Sequence, residues 1–242
     1  MLFWALTVET NRKDGRIDAA AAEGSAMPFK DPEVRLLFPV PFITIRLDGS
    51  EALNRRLLKE IGKRRRTEPG MLRSNRYGWH SAPDLFERTE PAHAQLIREI
   101  HAMVAACTAK LMPDFPKDLA PIHEGWVNVS PTHAMNSPHD HPGAFWSGTY
   151  YVHVPLPTDP DDKLSGAIEF IDPRGSIGTN ARIDAPFTRG KFTVRPAAGT
   201  CLLWPSFVKH WVHPNHSEEE RVTVAFNSWF ARQPKTQSAP VG

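Results

Sequence analysis

From Leu36 the run LLFPVPFITIRL is dense in β-branched and aromatic residues up to the turn signal Asp48-Gly49. It predicts a strand that Pro39 and Pro41 confine to a sheet edge. Apolar positions then recur at Leu53, Leu57 and Ile61, so a helix follows, with Ser50 as its cap. Its opposite face carries Arg55, Arg56, Lys59 and Lys63 and closes on Arg64-Arg65-Arg66, the pattern of a solvated face or, alternatively, of a partner or substrate patch. A second helix has Thr89 as cap and Pro91 in its first turn, with Leu96/Ile97, Ile100, Val104, Cys107 and Leu111 along one side. These helices, over about 50–115, read as a lid or buttress. After Pro116 the helical period disappears, and short runs rich in Val, Phe, Trp, Tyr and Thr alternate with Pro/Gly/Asp/Asn clusters. Strands are expected near 124–130, 145–154, 166–171, 191–195, 200–204 and 221–230. The chain therefore reads as mainly β, a sandwich or jelly roll with N-terminal α-helices packed on it.

Composition narrows the class. With 242 residues, 40% hydrophobic and 23% charged, the chain suits one domain over 31–242, its core at about 120–232. Residues 1–30, with RIDAAAAEGSAMP, show no sustained period and read as a loosely held arm. Met27 is a candidate opening of the compact part, or the true start of the reading frame. The net charge of +2 gives no global basic field, so nothing supports a nucleic-acid partner. Cys107 and Cys201 lie in apolar contexts and read as small buried hydrophobes, which points to an intracellular, cytoplasmic setting. MLFWALTV is too short to span a membrane and lacks a basic flank and a cleavage site, so it reads as neither signal peptide nor anchor. No feature sets the oligomeric state, and a homodimer is compatible with the pattern.

Histidine is distributed unevenly: of eleven, five fall between His123 and His153 and three between His210 and His216. In Ser137-Pro138-His139-Asp140-His141-Pro142-Gly143, extended backbone turns both imidazoles to one face and Asp140 to the other, a chelating arrangement. A buried strand, Gly199 to Pro205, is followed by His210 and His213, and Arg221 opens a further strand. There Arg221, Thr223, Ala225 and Asn227 share one face, and Val222, Val224, Phe226 and Phe230 the other. A cation on the small, polar face calls for an anionic ligand.

Several segments in order extend this pattern: Trp126-Val127-Asn128, His139-x-His141, Ser147-Gly148-Thr149-Tyr150-Tyr151-Val152 and Gly166-Ala167-Ile168-Glu169-Phe170 with Asp172-Pro173-Arg174. His210-x-Val212-x-Pro214 and Arg221 to Asn227 complete it. Together they resemble the iron(II)- and 2-oxoglutarate-dependent dioxygenases, in the prolyl-hydroxylase-like branch and an uncharacterised bacterial family within it. The resemblance covers roughly residues 36–232 and is strongest from Trp126 to Phe230.

The resemblance implies a double-stranded β-helix, Fe(II) as cofactor and 2-oxoglutarate as co-substrate. It implies His139, His141 and His210 as metal ligands, with His213 the lesser alternative to His210. Arg221 would hold the far carboxylate of 2-oxoglutarate, supported by Thr223 and by the hydroxyl of Tyr151, Tyr150 being the competing assignment. Trp126, Asn128, Asn136, Trp146 and His153 are candidates for the substrate end. The implied reaction uses O2 to decarboxylate 2-oxoglutarate to succinate and to hydroxylate a small-molecule or side-chain substrate. One departure matters: the superfamily's facial triad is two histidines and a carboxylate, and here His141 stands where the carboxylate would be. Two rival readings stay open, a three-histidine cupin-type enzyme that does not use 2-oxoglutarate and a non-catalytic jelly-roll module that binds a metal or a small acid.

Overall fold

The computed structural model describes residues 37–175 and 188–232. The expected arm over 1–30 and the question of Met27 lie outside them. The chain divides into two compact units, Met1–Pro41 and Phe42–Gly242. Of the first, only residues 37–41 are described, without helix or strand.

In the second unit the elements run β1 (Ile43–Arg46), α1 (Ser50–Thr67), β2 (Asn75–Arg76), β3 (Trp79–His80) and α2 (Pro91–Leu111). Then follow β4 (Leu119–Ser130), β5 (Met135–His139), β6 (Trp146–His153), β7 (Ile168–Ile171), β8 (Lys191–Val194), β9 (Thr200–Pro205), β10 (His210–Val212) and β11 (Arg221–Arg232). Two antiparallel sheets result, a major one ordered β1-β9-β6-β11-β4-β3 and a minor one ordered β2-β5-β10-β7-β8. This is the expected mainly-β jelly roll, and β1 is the expected edge strand.

Strand alternation sorts the side chains into two cores. Outward-facing Val127, Val129, Trp146, Tyr150, Val224 and Phe226 of the major sheet pack against Leu53, Leu57 and Ile61 of α1 and Leu96, Ile100 and Val104 of α2. Each of these buried aliphatic side chains contributes roughly 1.5–3 kcal/mol before ordering costs. Tyr151, Leu202 and Trp204 face the other way and pack with Ile168, Phe170, Val208 and Val212 from the minor-sheet side. The helices are thus a buttress on the back of the major sheet, which leaves its inner face to the site.

Several local expectations need correction. Among the described residues of the first apolar run only 43–46 form a strand, because Pro39 and Pro41 cannot donate to a ladder. Ser50 is the first residue of α1 and not its cap; Gly49, at φ 65°, occupies that position. The cap of α2 is Glu90 rather than Thr89, and its free N–H groups are met from α1. Ala92 N and His93 N donate to the Glu60 carboxylate at 2.9 and 3.1 Å. The basic run is not uniformly solvated: Arg64 is buried, donating to Glu68 at 2.7 Å and to Asp84 at 2.5 Å. Leu111 is exposed rather than packed. Cys201 is buried and Cys107 half-buried, and both are free thiols. No helix among the described residues is long and apolar enough to cross a membrane.

Candidate metal centre and co-substrate pocket

The inner face of the major sheet is a grid fixed by register. Glu124, Trp126 and Asn128 of β4 stand opposite Asn227, Ala225 and Thr223 of β11. Those in turn stand opposite Ser147, Thr149 and Tyr151 of β6. The minor sheet faces this grid with His139 paired to His210, and Val212 paired to both Asn136 and Ile168. His139 and Asn136 are three residues apart, so strict alternation would send them to opposite faces. A bulge in β5 absorbs the odd residue, at a place where Pro138 has no N–H to give the ladder.

His139, His141 and His210 converge at the centre, each offering a nitrogen within 4.8 Å of the others. Ring centroids are 5.0 Å apart for His139 and His141, 4.4 Å for His139 and His210, and 5.3 Å for His141 and His210. His139 Nδ1 donates to Ser137 O at 2.7 Å and His210 Nδ1 to Val208 O at 3.0 Å, so each ring is oriented by the carbonyl two residues before it. Their Nε2 lone pairs are left for another partner; the Ser74 hydroxyl lies 3.4 Å from that of His139. His141 lies just beyond β5, its main-chain N–H donating to Ser206 O at 3.0 Å and its Nδ1 3.3 Å from Asn227 Nδ2.

Burial keeps all three rings neutral at pH 7, the form that donates to a metal. It pushes His210 down to about 3 and His141 to about 4, with His139 adding to the effect on both. His139 is lowered by burial as well, against the opposing pull of the Ser137 carbonyl and Asp140.

These residues border a cavity of about 370 Å³ whose wall includes Arg221, Thr223, Asn128, Trp204, Ile168 and Val212. Arg221 is buried with its Nε unpaired, and Asn128 Oδ1, Tyr151 Oη and Trp204 Nε1 are likewise without partners. The guanidinium carbon lies 5.1 Å from the Tyr151 ring centroid. Burial lowers the Arg221 pKa and raises that of Tyr151, each opposed by the other group. A buried guanidinium with an unpaired Nε, beside the Tyr151 hydroxyl, fits an anionic ligand. Gly166, at φ 63°, passes close behind it: a Cβ there would lie 3.1 Å from Arg221 Cδ.

The remaining expected residues divide. Asn128, Asn136 and Trp126 border the cavity, Trp126 stacking on His80 with ring centroids 5.3 Å apart. Trp146 does not, since it lies an odd number of residues from Tyr151 and points to the helices, where its Nε1 donates to Thr108 Oγ1 at 3.0 Å. Tyr150 also faces the helices, its hydroxyl donating to Asn54 Oδ1 at 2.7 Å, which leaves Tyr151 beside Arg221. His153 sits past a register shift in β6 and meets Glu219 at 3.1 Å, away from the cavity. His213 approaches Glu169 at 3.4 Å and packs on Trp211, outside the three-histidine group. Asn227, Ser147, Trp204 and His80 were not singled out from sequence. Asn227 carried a signal, its place on the Arg221 face of β11, and Ser147 another, its even spacing from Tyr151 in β6.

Residues 124–227 match the family model described as "Putative 2OG-Fe(II) oxygenase". The resemblance read from the motifs is borne out over this stretch, which holds the three histidines and Arg221. No curated protein matches the chain in sequence. Among solved structures, a Pseudomonas putida prolyl-4-hydroxylase is 18% identical with a TM-score of 0.54, over 80% of this chain and 93% of its own. A Trichoplax adhaerens prolyl hydroxylase, solved with a hypoxia inducible factor peptide fragment, is 13% identical with a TM-score of 0.55, over 78% and 83%. The epimerase SnoN, solved with Fe3+, alpha ketoglutarate and nogalamycin RO, is 15% identical with a TM-score of 0.53, over 83% and 88%. At these identities the likeness is one of fold, the jelly roll of the 2OG-Fe(II) oxygenases. The family match on that fold indicates an oxygenase enzyme.

Proposed function

We propose that the protein is an iron(II)- and 2-oxoglutarate-dependent dioxygenase in which His139, His141 and His210 hold the metal. Arg221, with Thr223, Tyr151 and Asn128, holds the co-substrate. The observation that carries this reading is a single cavity bordered by three neutral imidazoles and by the buried Arg221, whose Nε is unpaired. Iron, when bound, supplies the redox chemistry by which O2 decarboxylates 2-oxoglutarate to succinate and hydroxylates a small-molecule or side-chain substrate. The chain's own work is to bind and orient. The Ser137 and Val208 carbonyls fix two imidazoles before a metal arrives, and Arg221 neutralises a carboxylate in a site partly walled by Ile168, Val212 and Trp204. Trp126, Asn128 and Asn136 form a polar and aromatic wall beside the histidines, suited to the substrate end.

A three-histidine site carries one more positive charge than two histidines and a carboxylate. This favours a dianionic co-substrate. It is also the feature that favours the second reading, a cupin-type centre that dispenses with 2-oxoglutarate and with Arg221. The test is anaerobic titration of Fe(II)-loaded protein with 2-oxoglutarate, watching for the weak visible charge-transfer band of a chelated 2-oxoacid. A band that is lost in Arg221→Ala is expected. Iron bound at the histidines with no band would overturn the co-substrate assignment in favour of the cupin-type or binding-module readings.

A further inference from the structure

His139 and His210 each give their Nδ1 proton to a main-chain carbonyl, which can only accept, so their tautomer is fixed with Nε2 open. His141 has no carbonyl in that place. Its Nδ1 faces the side-chain amide of Asn227 at 3.3 Å, and Asn227 Oδ1 accepts from Ser147 Oγ at 2.8 Å. Both partners are buried, Ser147 at 1% and Asn227 at 6% exposure, and both border the cavity.

An amide presents a donor and an acceptor of nearly equal shape. With Nδ2 toward the ring, Asn227 donates to His141 Nδ1, the ring's proton resides on Nε2, and that nitrogen has no lone pair for a metal. Turned over, Oδ1 accepts from Nδ1–H while Nδ2 donates to Ser147 Oγ, whose hydroxyl rotates to accept. Nε2 is then open. In the first arrangement the Ser147 hydroxyl proton has its acceptor; in the second it loses that acceptor, a cost that a metal bond at Nε2 offsets.

We propose that Asn227 is a positioning residue for the metal centre, selecting through its amide orientation, braced by Ser147, which His141 nitrogen carries the proton. The inference rests on the reading of His139, His141 and His210 as ligands. In the metal-free protein the amide holds His141 with its proton on Nε2. Metal uptake goes with turnover of the amide: one proton leaves Nε2 for water in the cavity and one is taken up at Nδ1, with no net change in charge. Where the superfamily places a carboxylate ligand, this chain has an imidazole whose lone pair depends on a neighbouring strand.

The test uses the full chain with Zn(II) as a redox-inert probe. Long-range 1H–15N correlation of histidine rings should show His141 protonated at Nε2 in the metal-free protein and at Nδ1 once Zn(II) is bound. His139 and His210 should be protonated at Nδ1 in both states. By competition titration, Asn227→Ala should lose about 10- to 100-fold in Zn(II) affinity, the range for partners of ligating histidines. Ser147→Ala should lose less. Asn227→Asp, an acceptor in every orientation, should bind at least as tightly as wild type, a rescue that a packing role would not give. Nδ1 protonation of His141 in the metal-free protein, or unchanged affinity in Asn227→Ala, would overturn the inference while leaving the ligand assignment intact. Wild-type protein that takes no Zn(II) at these histidines would overturn both. The spectra of wild type keep the question decidable even if Asn227→Ala fails to fold.

Discussion

The Arg221 guanidinium lies over the face of Tyr151, 5.1 Å from its centroid, and both side chains are buried with a polar atom unpaired. Among the described residues no carboxylate pairs with this cation, so its burial costs stability. Desolvating a lone charge costs several kcal/mol, of which the aromatic face returns about 2.

Replacing Arg221 with Met, which keeps the length and removes the charge, is therefore expected to raise the urea midpoint of the ligand-free protein. The gain should be on the order of 1–4 kcal/mol. The same variant should lose the thermal stabilisation that 2-oxoglutarate gives the metal-loaded wild type. Equal stabilisation of both proteins by 2-oxoglutarate would remove Arg221 from the co-substrate site.

Gly148 is held small by its neighbour across the strands. A Cβ built there would lie 2.2 Å from the tip of the Phe226 ring, which is fully buried against the helices. Gly148→Ala is expected to destabilise by about 1–3 kcal/mol as the ring is forced off its rotamer. The double variant Gly148→Ala with Phe226→Leu should recover part of that loss, read as non-additivity in urea denaturation.

Glu60 joins the two helices of the buttress. Its carboxylate accepts from Ala92 N, His93 N and His93 Nδ1, the last at 2.7 Å. Hydrogen bonds from those groups hold its pKa below the usual carboxylate range despite burial, which alone would raise it. Glu60→Ala should cost about 1–2 kcal/mol, the worth of a lost cap. Glu60→Gln should cost less, since its amide oxygen still accepts.

His123 gives the protein part of its acid sensitivity. Its ring is stacked on Phe86 and hydrogen-bonded to Ser228 Oγ at 2.7 Å. Burial, and after it the neighbouring His101, push its pKa down to about 4. The unfolded chain takes up this proton near pH 6.5 and the folded chain only near 4. The contribution is thus fully present above pH 6.5 and is lost as pH falls through that window. His80, His139, His141 and His210 are lowered too and act in the same direction. Metal-free wild type should show a clear fall in urea midpoint between pH 7 and pH 4.5, and His123→Gln a smaller one. An equal fall in both would show that His123 is protonated in the fold.

The long elements were legible because their periods repeat many times. The stripes of α1 and α2 and the alternation of β4, β6, β9 and β11 extend over enough residues to outweigh local exceptions. β5 and β10 were not, being five and three residues long, with Pro138 in the first reading as a turn and a bulge breaking its alternation. β2 and β3, of two residues each, have no period to detect. Trp146 was misplaced although alternation from Tyr151 already assigns it to the other face. The Asn227 contact with His141 spans 86 positions and left no local trace.

His139 and His210 belong to the minor sheet, whereas Arg221, Thr223 and Tyr151 belong to the major sheet, and His141 reaches the major sheet through Asn227. A metal with its anion would therefore span the gap as a rivet does, adding a tie that neither hydrogen-bond ladder supplies. Loss of that tie would be felt first by the thinner layer, whose β2 and β10 are only two and three residues long. Amide exchange in β5, β7 and β10 should accordingly slow on loading far more than exchange in β4 and β11, so that occupancy registers as stiffness on one side of the sandwich.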